Sequence, residues 1–292
     1  MIAATRRAPP IPILLYHSIS DTASQRFRRW AVRPEQFAAQ VAHLRARSYT
    51  PLTVAQLAAA TARNPADLPP RPVVLTFDDG FADFYDRALP VLQEHRFTAT
   101  LYVATGFVGG TSRWLRSAGE GERPMLTWVQ LRELRARGIE CGAHGHSHRP
   151  LDELPRRVAL DEIARSTGLV ADATGAPVVT FAYPHGYYDR AVREMVRMVG
   201  HVAACAVKHA LSAPDDDRFA LARVVVEADT DLDRFSRLLA GEGLPVAPAE
   251  RLRTKGWRLL RKAAARVGGR LAAPAGSRPE GTHARVSNGW NR

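Results

Sequence analysis

Residues 73–80 read Val-Val-Leu-Thr-Phe-Asp-Asp-Gly, an apolar run that ends in two adjacent carboxylates. The run does not alternate between apolar and polar residues, which is typical of a strand buried on both faces of a parallel sheet. Carboxylates held side by side raise each other's pKa, because their negative charges repel each other. A bound cation offsets this repulsion. The stretch therefore predicts a buried strand followed by a cation site, in which one Asp binds the metal and its neighbour stays available as a base. The alternative is an Asp-Asp-Gly turn that caps a helix.

Similar apolar runs recur along the chain and alternate with helical patterns. Pro34 suits the first turn of one helix, Thr53 and Thr127 suit the N-caps of two more, and Gly138 suits the left-handed end of the third. Seven or eight β–α alternations predict a parallel sheet with helical crossovers, most simply a closed or nearly closed barrel, with a doubly wound open sheet as the alternative. The runs lie at residues 11–16, 49–52, 73–77, 99–103, 139–143, 178–182, 202–207 and 222–226.

A second loop with chemistry follows the run at 139–143. Residues 143–148 read Ala-His-Gly-His-Ser-His, so three of the ten histidines fall within five positions. Imidazole is the commonest biological metal ligand, and a carboxylate with two histidines leaves a coordination position open, as a catalytic metal requires. The pair His144 and His148 is predicted to bind the metal, with His146 in a structural role. The alternative is a solvated histidine cluster.

The third loop, residues 181–189, reads Phe-Ala-Tyr-Pro-His-Gly-Tyr-Tyr-Asp. Its aromatic residues, proline and glycine are typical of a rigid groove wall, since aromatic faces stack on sugar rings and a backbone N–H can support an oxyanion. By itself the pattern equally fits a structural turn.

Charge divides the 292 residues unevenly. The net charge is +12, yet 11 of the 41 Lys and Arg lie at positions 251–292 against one of the 29 acidic residues, which leaves only +2 before position 251. A nearly neutral body argues against nucleic-acid binding. We expect a catalytic domain at 1–245 and, at 246–292, a basic amphipathic helix (249–267) with a disordered end, suited to peripheral contact with anionic lipid.

Targeting signals and cysteines add two expectations. The run at 11–16 is short for a signal peptide and contains Pro12, and no run reaches the length of a membrane span. The sequence therefore favours a protein that is cytoplasmic or peripheral at the inner membrane face. Two cysteines, Cys141 and Cys205, make no disulfide framework and are expected to be buried thiols.

Together, residues 76–80 and 144–148 resemble the paired signature of the polysaccharide deacetylases, the NodB-homology or carbohydrate esterase family 4 group, and residues 181–186 resemble its third motif. The resemblance covers about residues 11–239 and implies a distorted (β/α) barrel of about seven parallel strands. It implies a hydrolase of linear amide bonds other than peptide bonds that removes N-acetyl groups from the amino sugars of a polysaccharide or glycan precursor. By position, it assigns Asp78 as the base, Asp79, His144 and His148 as ligands of Zn²⁺ (or Co²⁺), and Tyr183 and His185 to the substrate and oxyanion.

Three departures from the family pattern matter. Gly145 replaces the usual Ser or Thr, whose hydroxyl braces the metal site, and Ala182 replaces an Arg that pairs with the base. The late motif of the family, which carries the His that acts as general acid, is not recognisable. His17, at the end of the first predicted strand, resembles the acid of family branches with a permuted barrel, and Arg223 is a candidate for the missing positive charge. The alternatives are a related amidase or deformylase acting on another small amide or lipid-linked sugar, and a catalytically weakened glycan-binding module.

Overall fold

The computed structural model describes residues 10–213 and 216–244. The predicted basic helix at 249–267 and the end at 268–292 lie outside these ranges, and so does the lipid contact expected of them. Within the described residues, no helix is both long enough and apolar enough to cross a membrane.

Strands and helices alternate along the chain in the predicted order. The strands are β1 (Ile13–Tyr16), β2 (Ser18–Ile19), β3 (Ala31–Val32), β4 (Thr50–Leu52), β5 (Pro72–Phe77), β6 (Thr100–Val103), β7 (Glu140–Ala143), β8 (Thr180–Ala182), β9 (Ala203–Cys205) and β10 (Val224–Val225). The α-helices are α1 (Pro34–Ala46), α2 (Val54–Arg63), α3 (Leu89–Glu94), α4 (Trp128–Ala136), α5 (Arg156–Thr174), α6 (Arg190–Met198) and α7 (Leu232–Leu239). All eight predicted strands are present, although most are a few residues shorter than the apolar runs.

The main sheet is a distorted (β/α) barrel of seven parallel strands in the order β10-β1-β5-β6-β7-β8-β9, with β4 paired to the first half of β5. Strands β9 and β10 do not pair directly. A parallel bridge between Cys205 and Leu221 instead joins β9 to the segment that leads into β10. The barrel thus nearly closes, and the open doubly wound sheet is excluded.

Successive residues of each strand point alternately to the helices and to the barrel interior, as the period of two requires. On β5, Leu75 and Phe77 belong to the core between sheet and helices, whereas Val74 packs in a second cluster with Tyr102 of β6. Gly142 of β7 lies against Tyr102, since a Cβ on Gly142 would be 2.5 Å from that ring. This alternation predicts that side chains at positions 78 and 144 point toward the barrel mouth.

Helix α2 closes the opposite end of the barrel. Thr53 caps it and forms a capping box with Gln56. The Glu140 carboxylate accepts a hydrogen bond from the amide of Ala55 in its first turn at 3.0 Å, and the Thr100 hydroxyl accepts one from Val54 at 2.9 Å. A carboxylate at a helix N-terminus is stabilised by the helix dipole. Helix α2 therefore covers the end of the barrel away from the three loops.

Several elements were not predicted. Sequence patterns predicted neither helices α3 and α7 nor the small parallel pair of β2 and β3. Both cysteines are buried as expected, and burial raises the pKa of Cys141 to about 12 and that of Cys205 to about 11.

Two glycines give a matched test of the fold. Gly186 has φ +72°, and a Cβ there would lie 2.6 Å from Cβ of Val207, whereas exposed Gly168 inside α5 has open space around it. We expect Gly186→Ala to lower the free energy of unfolding by about 2 kcal/mol or more, because left-handed backbone and overpacking both cost energy. Gly168→Ala should raise it by about 1 kcal/mol. Urea unfolding measures both, and equal effects would contradict the assigned backbone at 186.

Candidate active site

Asp79, His144 and His148 come together at the barrel mouth. All three are buried, and one possible ligand atom from each lies within 4.8 Å of the others. Nε2 of His148 is 3.0 Å and Nε2 of His144 is 3.4 Å from Oδ1 of Asp79. This Oδ1 is buried and accepts no well-formed hydrogen bond from the described residues. One carboxylate and two imidazoles whose lone pairs converge without satisfying one another fit a divalent cation bound by three protein ligands.

A backbone contact orients His144. Its Nδ1 lies 2.8 Å from the carbonyl oxygen of Ala182 and donates to it, so Nε2 is directed toward Asp79. Metal-binding histidines commonly use their second nitrogen in this way. The residue that stands in place of the family arginine, Ala182, thus contributes through its backbone.

Opposite charges within the cluster shift its pKa values. Burial alone would raise the pKa of Asp79, but His148 and His144 hold it well below its usual value. Burial would lower the pKa of His144, yet Asp78 and Asp79 together raise it. The carboxylate is therefore ionised and available as a ligand.

Two of the three cluster residues have strained backbone. Asp79 has φ 78° and His148 has φ 57°, in the left-handed region that non-glycine residues seldom adopt. Such conformations persist only where surrounding contacts enforce them, and they concentrate at functional sites.

Asp78 forms a bidentate ion pair with Arg223. The two guanidinium nitrogens donate to its two oxygens at 2.6 and 2.7 Å, and both side chains are buried. Arg223 also donates through Nε to the carbonyl of Ala206 and through a terminal nitrogen to the hydroxyl of Thr76. Although burial would raise the pKa of Asp78, Arg223 lowers it. Arg223, named as a candidate from the sequence, thus places a positive charge beside the Asp78 carboxylate.

His17 lies directly after β1, and the register of Tyr16 with Phe77 places position 17 beside position 78. Its ring packs on Trp30 with centroids 4.7 Å apart, and its buried Nδ1 has no hydrogen-bond partner among the described residues. Burial lowers the pKa of His17, and Asp79 and Asp78 partly offset this effect. The two carboxylates thus favour the protonated form of the ring, which burial disfavours.

The third loop divides into a buried part and a part near the cluster. The Tyr183 side chain is fully buried and its hydroxyl donates to the carbonyl of Phe219 at 2.9 Å, so this ring supports the loop from inside. Direct contact of that side chain with substrate, as expected from the sequence, does not fit its position. The His185 ring lies 4.6 Å from that of His148, on left-handed backbone with φ 58°.

Trp114 is a site residue that the sequence analysis did not identify. Its ring lies 5.1 Å from that of His148 and 4.3 Å from that of Phe107, and its indole nitrogen is buried without a hydrogen-bond partner among the described residues. It belongs to the 3₁₀ helix Arg113–Ala118, within the Gly- and Arg-rich segment 109–124. The segment is fixed on the barrel. Its aromatic residue is the feature of the sequence from which a role at the site could have been predicted.

A partly buried charge network fixes that segment. Arg123 bonds the carboxylate of Glu120 at 2.8 Å and lies 3.4 Å from that of Asp83, which accepts from the hydroxyl of Ser18 at 2.6 Å. Ser18 follows His17 directly. The network therefore joins the segment bearing Trp114 to the loop bearing His17.

Sequence comparisons identify relatives of this chain. A sequence profile described as polysaccharide deacetylase matches residues 66–204. The Bacillus subtilis (strain 168) protein YxkH, itself assigned to the polysaccharide deacetylases, is 27% identical over 76% of this chain and 73% of that protein. The poly-beta-1,6-N-acetyl-D-glucosamine N-deacetylase of Escherichia coli (strain K12) is 33% identical over 63% of this chain. This chain spans only 26% of that relative.

Solved structures show the same fold. The Streptococcus pyogenes deacetylase PplD in complex with acetate has a TM-score of 0.69 at 23% identity, over 79% of this chain and 98% of that chain. IcaB from Ammonifex degensii has a TM-score of 0.67 at 24% identity, over 80% and 97%.

The buried ion pair gives a stability prediction. Arg223→Met should lower the free energy of unfolding by roughly 3–5 kcal/mol, because it leaves the Asp78 carboxylate buried and unpaired. Arg234→Met, at a partly exposed pair with Asp229, should cost about 1 kcal/mol or less. Adding Asp78→Asn to Arg223→Met should restore part of the loss. Chemical denaturation of the metal-free proteins compares these three variants with the unaltered chain, and equal costs for the two arginine substitutions would contradict the buried pair.

Proposed function

We propose that this chain, which belongs to the polysaccharide deacetylase family, is a metal-dependent hydrolase that removes N-acetyl groups from the amino sugars of a polysaccharide or glycan precursor. One observation supports this most directly: the converging Asp79, His144 and His148 stand beside a second carboxylate, Asp78, that has its own buried arginine. A binding module needs at most the three converging residues, whereas a hydrolase needs these residues and also the second carboxylate.

Asp79, His144 and His148 would hold the cation, Zn²⁺ in our proposal with Co²⁺ as the alternative. Three protein ligands leave room for a substrate oxygen or water. The ion, when bound, supplies Lewis acidity to the acetyl carbonyl and to water. The protein's own part is to fix these side chains in a buried pocket, which the contact of His144 with the Ala182 carbonyl supports.

Asp78 would act as the base that takes a proton from the attacking water. Arg223 favours its ionised form, and the two hydrogen bonds of the pair fix the plane of the carboxylate. Each carboxylate oxygen accepts one hydrogen bond from Arg223 and keeps a lone pair for a water proton. Position and ionisation are thereby set before the substrate arrives.

His17 would protonate the leaving amine. The ring packs on Trp30, but its Nδ1 makes no hydrogen bond within the described residues and is therefore not committed to a structural hydrogen bond there. A pKa lowered by burial makes the protonated ring a stronger acid. Proton transfer by a positioned side chain contributes on the order of 10²–10⁴-fold to a rate.

The third loop and Trp114 would form the walls of the substrate groove. Trp114 presents an aromatic face beside His148 and a buried indole N–H that has no hydrogen-bond partner in the described ranges, suited to a sugar ring and one of its oxygens. The amide of His185 remains our candidate donor to the oxyanion. Tyr183 contributes through the loop backbone that its buried ring supports.

The relatives indicate which substrates to test first, and the substrate class requires a direct assay. Because a relative is a poly-beta-1,6-N-acetyl-D-glucosamine N-deacetylase, β-1,6-linked N-acetylglucosamine oligomers are the first substrates to test. Acetate release should be compared with β-1,4-linked oligomers and lipid-linked sugars, and formate release with N-formyl analogues. Formate without acetate would favour the deformylase alternative. Glycan binding without either product would favour a binding module.

Metal removal should separate the roles of the two aspartates. A chelator should abolish acetate release by the full chain, and Zn²⁺ or Co²⁺ should restore it. Asp78→Asn should keep the metal and lose most of kcat, because only proton transfer is removed, whereas Asp79→Asn should weaken metal binding itself. Metal content and steady-state kinetics provide the measurements.

The matched control for this pair is Asp86→Asn, at an exposed carboxylate outside the cluster, which should change neither quantity. Full activity of the metal-stripped protein would refute the metal mechanism. The reverse pattern for the two aspartates would show that base and ligand are exchanged.

The acid role of His17 predicts a loss that depends on the leaving group. His17→Ala should lower kcat by roughly 10²-fold or more with metal content unchanged, since only the proton donor is removed. A substrate with a better leaving group needs less protonation and should lose less. Kinetics on two such substrates provide the test, and equal losses on both would instead assign His17 a structural role.

A further inference from the structure

Residues 144–148, hereafter the histidine loop, provide two of the three proposed metal ligands on an unusual backbone. Gly145 has φ 73° and His148 has φ 57°, so the loop twice enters the left-handed region. A short loop of this kind does not hold its shape without outside contacts. The relative position of His144 and His148 therefore depends on whatever fixes the segment between them.

Glu162 of helix α5 supplies such contacts from behind the loop. Its Oε2 accepts hydrogen bonds from the backbone amides of His146 at 2.8 Å and Ser147 at 2.7 Å, and its Oε1 accepts one from the Ser147 hydroxyl at 2.6 Å. Two successive N–H groups directed at one carboxylate oxygen form a compact anion cradle. One side chain thus holds three donors at the centre of the histidine loop.

The Glu162 carboxylate is itself nearly buried, with 8% of the residue exposed. Burial of a carboxylate is costly unless it is hydrogen-bonded, and bonds to an ionised acceptor are roughly twice as strong as neutral ones. All three hydrogen bonds found for this carboxylate in the described ranges go to the histidine loop. Loss of these hydrogen bonds would therefore leave a buried carboxylate without partners, and the loss would act on the histidine loop.

The backbone at Gly145 leaves little room for a side chain that could support the histidine loop from within. A Cβ at this position would lie 3.3 Å from Cγ of Pro184 and 3.6 Å from Oε2 of Glu162, on backbone with φ +73°. A serine or threonine there would be crowded and strained. The hydroxyl that supports this loop is instead at Ser147, and it acts through Glu162.

We propose that Glu162 is a positioning residue of the metal site: its carboxylate holds the histidine loop in the conformation that directs His144 and His148 toward Asp79. The inference rests on the proposed function only in taking these three residues as metal ligands. Partners that orient metal ligands typically contribute 10–100-fold to metal affinity.

The test measures the Zn²⁺ affinity of the full chain by competition with a chromophoric chelator. Glu162→Gln preserves size but removes the charge and places an amide nitrogen where one oxygen accepts, so the affinity should fall by about 10–100-fold. Ser147→Ala removes one of the three donors and should cause a smaller loss. Asp161→Asn, at the exposed neighbouring carboxylate of the same helix, should leave the affinity within about twofold of that of the unaltered chain.

Two further readouts separate positioning from general stability. The thermal midpoint of each metal-free variant reports stability alone. The kcat of each variant at saturating Zn²⁺ should recover toward that of the unaltered chain, because excess metal fills the weakened site. In a double variant, Ser147→Ala should add little to Glu162→Gln, because both act through the same carboxylate. If Glu162→Gln does not fold, the smaller loss predicted for Ser147→Ala decides the question.

A folded Glu162→Gln protein that binds Zn²⁺ as tightly as the unaltered chain would overturn this inference alone. Unaltered chain that fails to bind Zn²⁺ would overturn it together with the metal mechanism. If the unaltered chain binds Zn²⁺ but releases no acetate, the proposed substrate fails, while a weakened Glu162→Gln still supports the positioning role.

Discussion

The ion pair between Asp78 and Arg223 is the interaction on which the site most depends. It joins the end of β5 to a residue 145 positions later in the chain, and both charges are buried. Arg223 also donates to the carbonyl of Ala206, directly after β9. It therefore crosses the seam where β9 and β10 do not pair. Because an uncompensated charge there would be severely destabilising, the barrel cannot open at its seam without disrupting the proposed base.

The parallel sheet explains why three loops far apart in sequence share one site. Strands β5, β7 and β8 run in one direction, so their carboxyl ends meet at the barrel mouth. The alternation of side chains along β5 and β7 directs Asp78 and His144 inward. Helix α2 closes the other end with Glu140 at its N-terminus. In the part of the chain that the structure describes, the mouth thus gathers the buried polar side chains of the candidate site, and the proposed chemistry is there.

Strain within the site is balanced by contacts from outside the loops. Asp79, His148 and His185 all have left-handed backbone. Each lies directly after a strand or in the loop that follows one, and neighbouring elements hold these loops, most clearly Glu162 of α5 behind His146 and Ser147. A metal site built this way is preorganised, since its ligands need little rearrangement to meet a cation.

Local patterns predicted the regular elements and part of the site. Predominantly apolar runs identified eight strands, because strands buried on both faces carry apolar side chains at most positions. Thr53 and Thr127 were correctly assigned as N-caps, because the capping hydrogen bonds span only three residues. Helix α3 was missed because it is only six residues long, and β2 and β3 because two-residue strands have no period.

The sequence by itself determined the strand order along the chain and the placement of Asp78, Asp79, His144 and His148 in loops that follow strands. Only the tertiary structure decided which distant groups complete these loops. Arg223, Glu162 and Trp114 reach the site from the barrel seam, a helix and a 3₁₀ turn. The physical reason is the separation along the chain over which each effect acts. Periodicity and capping depend on neighbours a few residues apart, whereas pairing of buried charges depends on chain closure across the whole barrel.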